Sequence, residues 1–477
     1  MKKFFLTALN LLPLALVAQS ITVSEPVSIR EDAAYEIISD GRGNVLLFRD
    51  QTTKFEVQGY DSKLEKRWDK EIELDKKAPE IIKVVPNGGD FCVLYMFRQK
   101  LNPILKAHRY NPAADLVDSV TIRSFSDKIF PPKFEVAVSE NKKVALLWFV
   151  EEQKNITVLA FHMGRMKLLW ETTFSPADLF LDRDFVQILP DNNGNMHFVL
   201  ERENRRSKSE EHYLEVFNFS DPDSSEAGGN LRRYMVPMKG KLTFDAKFAF
   251  DHVNNILVAG GLYSDDNLAR ADGYFYLTIP QNDPERQSLT FHPFKDEFVS
   301  VLLEKEKAKN KGIPEVTIQE VALRKDGGAI LIGELNKRFQ RGVVSGGYYT
   351  RNGIRPIVDY YYDDIFLISL HPDGEEHWKT ILHKKQYSQD DDAAYSSYFL
   401  AKTPAALRVI FNDEIKPENT VSEYVINGSG EYDRNAVMNT ERKELQLRFR
   451  DAVQVAANEF IVPSERRSKL KLVKVTY

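Results

Sequence analysis

The stretch KFEVAVSENKKVALLWFVEEQKNITVLAFHMGRMKLLWETTF (residues 133–174) decides the fold. It reads as four short strands, 134–138, 144–150, 156–162 and 167–174, each built from β-branched, aliphatic or aromatic residues. The breaks between them are polar. They are Ser139-Glu140-Asn141-Lys142-Lys143, the charged loop 151–155, and Gly164-Arg165. Short apolar runs separated by turn residues are the mark of antiparallel hairpins. Four such strands in about forty residues have the dimensions of one β-propeller blade.

The same unit recurs on both sides. Strands are expected at 35–38, 45–48, 55–60 and 67–74, then at 81–85, 91–97, 105–110 and 116–122. After the template, a fourth unit covers 185–189, 196–200, 213–219 and 232–237, and a fifth covers 246–250, 256–262, 274–279 and 288–292. The sixth covers 318–323, 329–335, 365–370 and 377–382; the seventh covers 398–402, 407–412 and 422–426, with a poor last strand near 435–439. Three strands remain at the C-terminal end, 451–455, 459–463 and 470–475, while 21–29 is a spare strand at the other end. A propeller avoids an open edge when a strand from one terminus completes the blade at the other. The sequence therefore predicts an all-β, single-domain β-propeller over 21–477, with eight four-stranded blades, the last closed by the N-terminal strand. Seven blades result if one unit has been divided wrongly. Two β-sandwich domains or a β-helix also give regular short strands. No linker rich in Pro, Gly or Ser divides this chain, which counts against two domains.

Composition narrows the function classes. The 65 basic and 70 acidic residues give a formal charge of −5, so no nucleic-acid or anionic-membrane partner is expected. At the N-terminus, Lys2-Lys3 precedes the apolar run 4–17 and the small residues Ala18 and Ser20. This is the pattern of a signal peptide over 1–18, implying export to the periplasm, the outside or the cell surface. Asn10 and Pro13 interrupt the run, which is shorter than the roughly 20 residues a membrane span needs. No later stretch is long and apolar enough to span. The single cysteine, Cys92, lies in the run Phe91-Cys92-Val93-Leu94-Tyr95 and reads as a small core residue.

Trp68, Trp170 and Trp378 each fall in the fourth strand of their unit. The pattern resembles the quinoprotein-like propellers, including the outer-membrane-assembly scaffold type. That resemblance implies that an outer-strand Trp docks on the next blade. It covers most of the chain at the level of blade pattern. A quinone-dependent dehydrogenase of that family is expected to carry a cysteine pair near its cofactor, and this chain has one Cys. No cofactor is expected.

Successive strands alternate direction, so loops sort onto two faces. One carries mostly tight turns, such as Asn87-Gly88-Gly89 and Asp326-Gly327-Gly328, with 221–230 the exception. The other carries the long loops 201–212, 264–273, 293–315, 336–364, 383–397 and 413–421. Long loops on one rim of a rigid scaffold are where binding sites are built. Within 294–311, the apolar Phe298, Val301 and Leu302 precede a charged tail and predict a short amphipathic helix.

The loop 336–364 holds Tyr348, Tyr349, Tyr360, Tyr361 and Tyr362 among several glycines, and Tyr387 and Tyr395 follow. Tyrosine offers a flat apolar face with a polar tip, suited to sugar rings or peptides, or to packing the loop on the scaffold. Glu334, Lys384, Gln386, Asn412 and Asp413 lie on the same rim and complete the candidate ligand-binding set. Glu334 is placed to pair with Lys384 or Arg341, which makes a structural network rather than a catalytic one. Asp390-Asp391-Asp392 lacks the alternating spacing of a calcium loop and reads as a solvated acidic turn. His371, His377 and His383 are spaced by six but separated by a turn and strands, so they are not expected to converge on a metal.

Gly-x-Ser-x-Gly, the phosphate loop and His-Glu-x-x-His are absent from the sequence. So is the repeated Asp-box of sialidase-type propellers. No catalytic residue is singled out. The sequence points to a non-catalytic binding or scaffold protein with a protein or glycan partner at the loop-rich face. One alternative is a propeller glycoside hydrolase or lyase, for which Glu334, Asp363, Asp364 and Asp413 are the available carboxylates. Another is a structural envelope protein acting through its blade edges.

Overall fold

Strands buried on both faces read as unbroken apolar runs rather than as alternation. Residues 91–96 of this chain are such a run, each at most 3% exposed. In a propeller the middle strands of every blade are covered by the blades on either side, which is why the second and third strands here are the most apolar. The outermost strands are covered on one side only. Leu116–Ser124 and Lys66–Ile72 are accordingly mainly exposed, each with a single buried residue, Ile122 and Ile72.

The computed structural model describes residues 19–39, 43–76, 78–126, 130–207, 211–220, 231–304, 312–341, 357–416 and 419–477. They form an eight-bladed β-propeller of antiparallel sheets, as the sequence predicts. The four strands of the template are Glu135–Val138, Val144–Glu151, Asn155–His162 and Lys167–Phe174, paired in chain order. Blade eight runs Val453–Ala456, Glu459–Arg466, Lys469–Thr476 and then Ser20–Val23 from the other end of the chain. Ile21 sits opposite Val475 and Val23 opposite Val473. Pro26 interrupts the closing strand, which resumes as Val27–Ser28 on the same partner. Between the two pieces, the Ser24 hydroxyl accepts the Leu472 amide at 2.9 Å.

The blades are joined by packing and by a few directed hydrogen bonds. Trp170 is buried, donates from Nε1 to Gly194 O of blade four at 2.9 Å, and meets Phe219 edge-on at 4.7 Å. Gly194 sits at φ +94°, which other residues rarely adopt, in a turn held by the Asp191 carboxylate. Trp378 likewise donates to Gly428 O of blade seven at 3.0 Å, and a Cβ on Gly430 would strike its ring. Trp68 differs. It lies across Gly59 of its own blade and packs against the apolar cluster that holds Tyr95, Tyr110 and Ala114 of blade two, with no hydrogen bond to that blade among the described residues. Cys92 is fully buried, and burial pushes its thiol up to about 12.

Three expectations need correction. The segment 336–364 is not simply a loop. Ala329–Arg341 and Ile357–Leu370 continue out of blade six as a paired hairpin arm, and Gln386–Gln389 from the next connection adds a third strand. Blade seven has a full fourth strand, Tyr432–Asn439. The helix is Asp296–Leu302, and it buries Phe298, Val299 and Leu302. Val301, counted among its apolar residues, is 52% exposed because it lies at the flank of the buried stripe, roughly 100° around the helix from Leu302. The signal-peptide segment 1–18, the tail 305–311, the segment 221–230, and Tyr348 and Tyr349 lie outside the described residues.

Closure generates two predictions. Removing residues 19–28 exposes the edge of Lys469–Thr476 and the apolar faces that Ile21 and Val23 cover. The truncated chain is expected to lose about 3 kcal/mol or more in urea titrations and to oligomerise in size-exclusion chromatography. Trp170→Phe keeps the aromatic contact and removes the Gly194 hydrogen bond, so a smaller loss of about 1–2 kcal/mol is expected.

Candidate functional site

Glu334 stands where blade six gives way to the arm. A register shift between Glu334 and Asn336 bends the strand there and turns Glu334 inward. Its carboxylate approaches Lys384 Nζ at 2.7 Å, with both side chains fully buried. The approach is an ion pair without good hydrogen-bond angles at Oε1. Glu334 Oε2 accepts from Ser397 Oγ at 2.7 Å. Lys384 Nζ also donates to Tyr362 O at 2.8 Å and Gln386 Oε1 at 3.1 Å. Gln386 donates onward to Asn412 O at 2.7 Å, and Asn412 donates to Tyr395 O and Leu447 O, both at 2.9 Å. Burial pulls the Lys384 ammonium below its ordinary value, and Glu334 opposes that shift. Four of the candidate residues, Glu334, Lys384, Gln386 and Asn412, are thus one buried polar bracket that ties the arm of blade six to blade seven. Arg341, the other partner considered for Glu334, is held by Asp359 instead.

The tyrosines divide. Tyr360 is buried and donates to Asp392 at 3.0 Å. Tyr362 packs beneath the Arg450 guanidinium, whose centre is 4.5 Å from the ring. Tyr361 faces the other way and is half-buried, with its ring 5.1 Å from that of Tyr387. It borders a cleft of about 560 Å³ between the arm and the short helix. Leu302, Leu303, Pro314, Leu335 and Phe339 give the cleft its apolar wall. Its charges are mostly engaged: Lys337 with Glu315 at 2.9 Å, and Asp364 with His383 at 2.8 Å. Asp363 is the exception. One of its oxygens is buried without a hydrogen-bond partner, and burial raises its pKa. The outer edge of the arm is open. Asn336 still donates to Glu315 O, but beyond it Lys337–Arg341 is exposed and has no partner strand on that side among the described residues.

The remaining candidates are turn and surface groups. Asp413 binds Arg434 at 2.8 Å and Ser422 at 2.6 Å. Asp390, Asp391 and Asp392 accept from the Val358 amide, Ser388 and Tyr360, respectively. His371 and His377 have ring centres 4.6 Å apart, while His383 turns to Asp364, so the three do not converge. Among the described residues no cluster of three or more His, Cys, Asp or Glu could hold a metal, and no helix is long and apolar enough to cross a membrane.

A second rim cavity of about 600 Å³ escaped the sequence reading. It opens beside the closing blade and is lined by Tyr35, Glu36, Lys83, Arg448, Asp451 and Glu465. Arg448 bridges Asp451 and Glu465. Burial raises Glu36, with Lys83 opposing and Asp451 adding to the shift. These residues come from four separate segments brought together by ring closure, so no local motif announces them.

The fold and rim define an eight-bladed β-propeller with a polar bracket under an arm-and-cleft surface. No protein-family model matches the chain, and no curated protein matches it. Among solved structures, it is similar to the polysaccharide lyase Uly1 at 10% identity and TM-score 0.42, covering 95% of this chain and 99% of that one. It is similar to the Dos1 propeller at 6% identity and TM-score 0.42, covering 95% of each. It is also similar to the quinohemoprotein alcohol dehydrogenase ADHIIG of Pseudomonas putida HK5, at 8% identity and TM-score 0.41 over 96% of this chain and 76% of that one. These likenesses are of blade architecture alone.

The bracket predicts a sharp asymmetry. Glu334→Gln leaves a buried ammonium without its counter-ion and is expected to cost about 3–5 kcal/mol in urea unfolding. The double variant Glu334→Leu/Lys384→Met removes both charges and is expected to recover most of that loss.

Proposed function

We propose that this chain is an exported, non-catalytic binding protein that takes an extended segment of a partner protein at the arm of blade six. The observation that carries this reading is the edge Lys337–Arg341, which has no partner strand on its outer side among the described residues, beside a cleft with one apolar wall. An added strand satisfies the open backbone groups, and alternate side chains enter pockets beside it. Phe339, 49% exposed, and Tyr361 offer such a pocket. Export rests on the apolar run behind Lys2-Lys3. The carboxylates support a non-catalytic rim. Glu334 is sealed in an ion pair, while Asp364 and Asp413 are committed to neighbours, leaving Asp363 alone. Paired acid–base work needs two.

The rival reading, a glycoside hydrolase or lyase, draws support from one place. Glu36 and Asp451 line the same cavity, and Glu36 is raised by burial. If that cavity is catalytic, the wild type cleaves a member of a polysaccharide panel and Glu36→Gln does not.

A screen of the chain against peptide and glycan arrays tests the main reading. An extended peptide is expected to bind, and Phe339→Ala/Tyr361→Ala is expected to weaken it at least tenfold, about 1.4 kcal/mol, with little change in Tm. Tyr360→Ala, by contrast, is expected to lower stability by about 3 kcal/mol or more, since that ring is buried. A glycan hit lost in the double variant moves the partner from protein to carbohydrate. Peptide binding that survives the double variant removes the arm from the site.

A further inference from the structure

On the face opposite the arm, the turns of blades four and five enclose a cavity of about 520 Å³. Its lining is chemically unlike that of the rim. Of its 11 lining residues, six carry carboxamides: Asn193, Asn195, Asn218, Asn255, Gln281 and Asn282. The ionisable side chains among the 11 are Asp191, Arg232 and His197. Asp191 is consumed by its own turn, accepting the amides of Asn193 and Asn195 at 2.8 Å and the Asn195 carboxamide at 2.7 Å. His197 is 1% exposed and stacks on Phe250 at 4.7 Å. Full burial drops its pKa to about 3, so it is an uncharged ring at any physiological pH.

The polar groups are held in place. Asn218 donates to Gln281 Oε1 at 2.5 Å and lies 3.4 Å from His197 Nδ1, and Gln281 Nε2 donates to Ile279 O at 3.0 Å. With Nδ1 accepting from Asn218, the His197 proton sits on Nε2, and that buried donor has no partner among the described residues. A buried polar group in that state is rare and calls for an occupant, a water or a ligand oxygen. Above it, Asn255 donates to Asn282 Oδ1 at 3.0 Å. The Asn193 carboxamide and the Asn282 Nδ2 group have no partner among the described residues. The cavity therefore offers several donors and acceptors, fixed from below, around a neutral floor.

We propose that this cavity is a second binding site, for a neutral polyhydroxylated ligand of the saccharide class. A hydroxyl both donates and accepts, which matches a carboxamide on both counts. An anionic or cationic ligand would lose its hydration here and meet only Asp191, consumed by its own turn, and Arg232, which already has a partner. The site is independent of the arm, lies on the other face, and does not rest on the partner proposed for it.

The test is titration calorimetry of the whole chain with a panel of neutral oligosaccharides, beside uronic-acid and amino-sugar oligomers of matched length. Binding of a neutral member is expected, with no heat from the charged ones. Asn193 and Asn282 are exposed turn residues, so Asn193→Ala/Asn282→Ala is expected to fold with unchanged Tm and to weaken that binding at least tenfold. Phe339→Ala/Tyr361→Ala serves as the control and is expected to leave it unchanged. No neutral saccharide binding at millimolar concentration overturns the proposal. So does preferential binding of a charged oligomer, or binding that the asparagine variant retains.

Discussion

Everything in this molecule depends on closing a ring. A blade is a four-stranded sheet with two apolar faces, and neither face is covered from within. Blade three illustrates the point: Leu147 and Phe161 pack toward blade two, while Leu146 and Ala160 pack toward blade four. Every blade is stable only because its neighbours are present, and the neighbour relation has to close on itself. Strand Ser20–Val23 achieves this by hydrogen bonding to Lys469–Thr476, and the apolar cluster there joins Ile21 and Val23 to Val473 and Val475. Hydrophobic burial supplies the stabilisation. The main-chain ladder fixes which strand completes which blade.

The same constraint explains the placement of polar chemistry. Where two blades meet at the rim, their apolar faces end and backbone groups need partners. The Glu334–Lys384 bracket meets that need between blades six and seven, and its side chains reach Ser397, Gln386 and the Tyr362 carbonyl. A buried ion pair is costly to desolvate, and here hydrogen bonds to Ser397, Gln386 and the Tyr362 carbonyl offset part of that cost, while Glu334 Oε1 has the ionic contact alone. Here its gain is orientational. It sets the direction in which the arm leaves the ring, and with it the position of the cleft.

The blade count, the closing strand and the outer-strand tryptophans were legible in the sequence because each is a local pattern. Turn residues, apolar runs and an aromatic at a fixed place in the unit all act over a few residues. The arm was not legible for a physical reason. Residues 336–341 and 357–362 are polar enough to read as loop, and their pairing depends on Gln386–Gln389, which is distant in sequence. The tyrosine cluster looked like one surface because adjacent residues share a stretch. Strand geometry instead sends Tyr361 to one side of the arm and Tyr360 and Tyr362 to the other. The cavity lined by Glu36 and Asp451 joins residues more than four hundred positions apart and exists only because the ring closes.

Strand Ile357–Leu370 is 14 residues long and has two environments. Its last six residues are fully buried in blade six, while its first six form the middle of the arm. At about 3.4 Å per residue, the strand runs roughly 45 Å from solvent to core, with its ladder interrupted once, at the register shift opposite Glu334. The Glu334–Lys384 pair spans that interruption and holds the Tyr362 carbonyl, so the outer segment cannot fray without disturbing a buried ion pair. Pinning its outer end suppresses local opening along its length, and amide exchange deep inside blade six becomes a reporter of events at the surface. The arm is therefore a rigid outrigger of the core, and whatever docks on it meets a surface whose shape is set before contact.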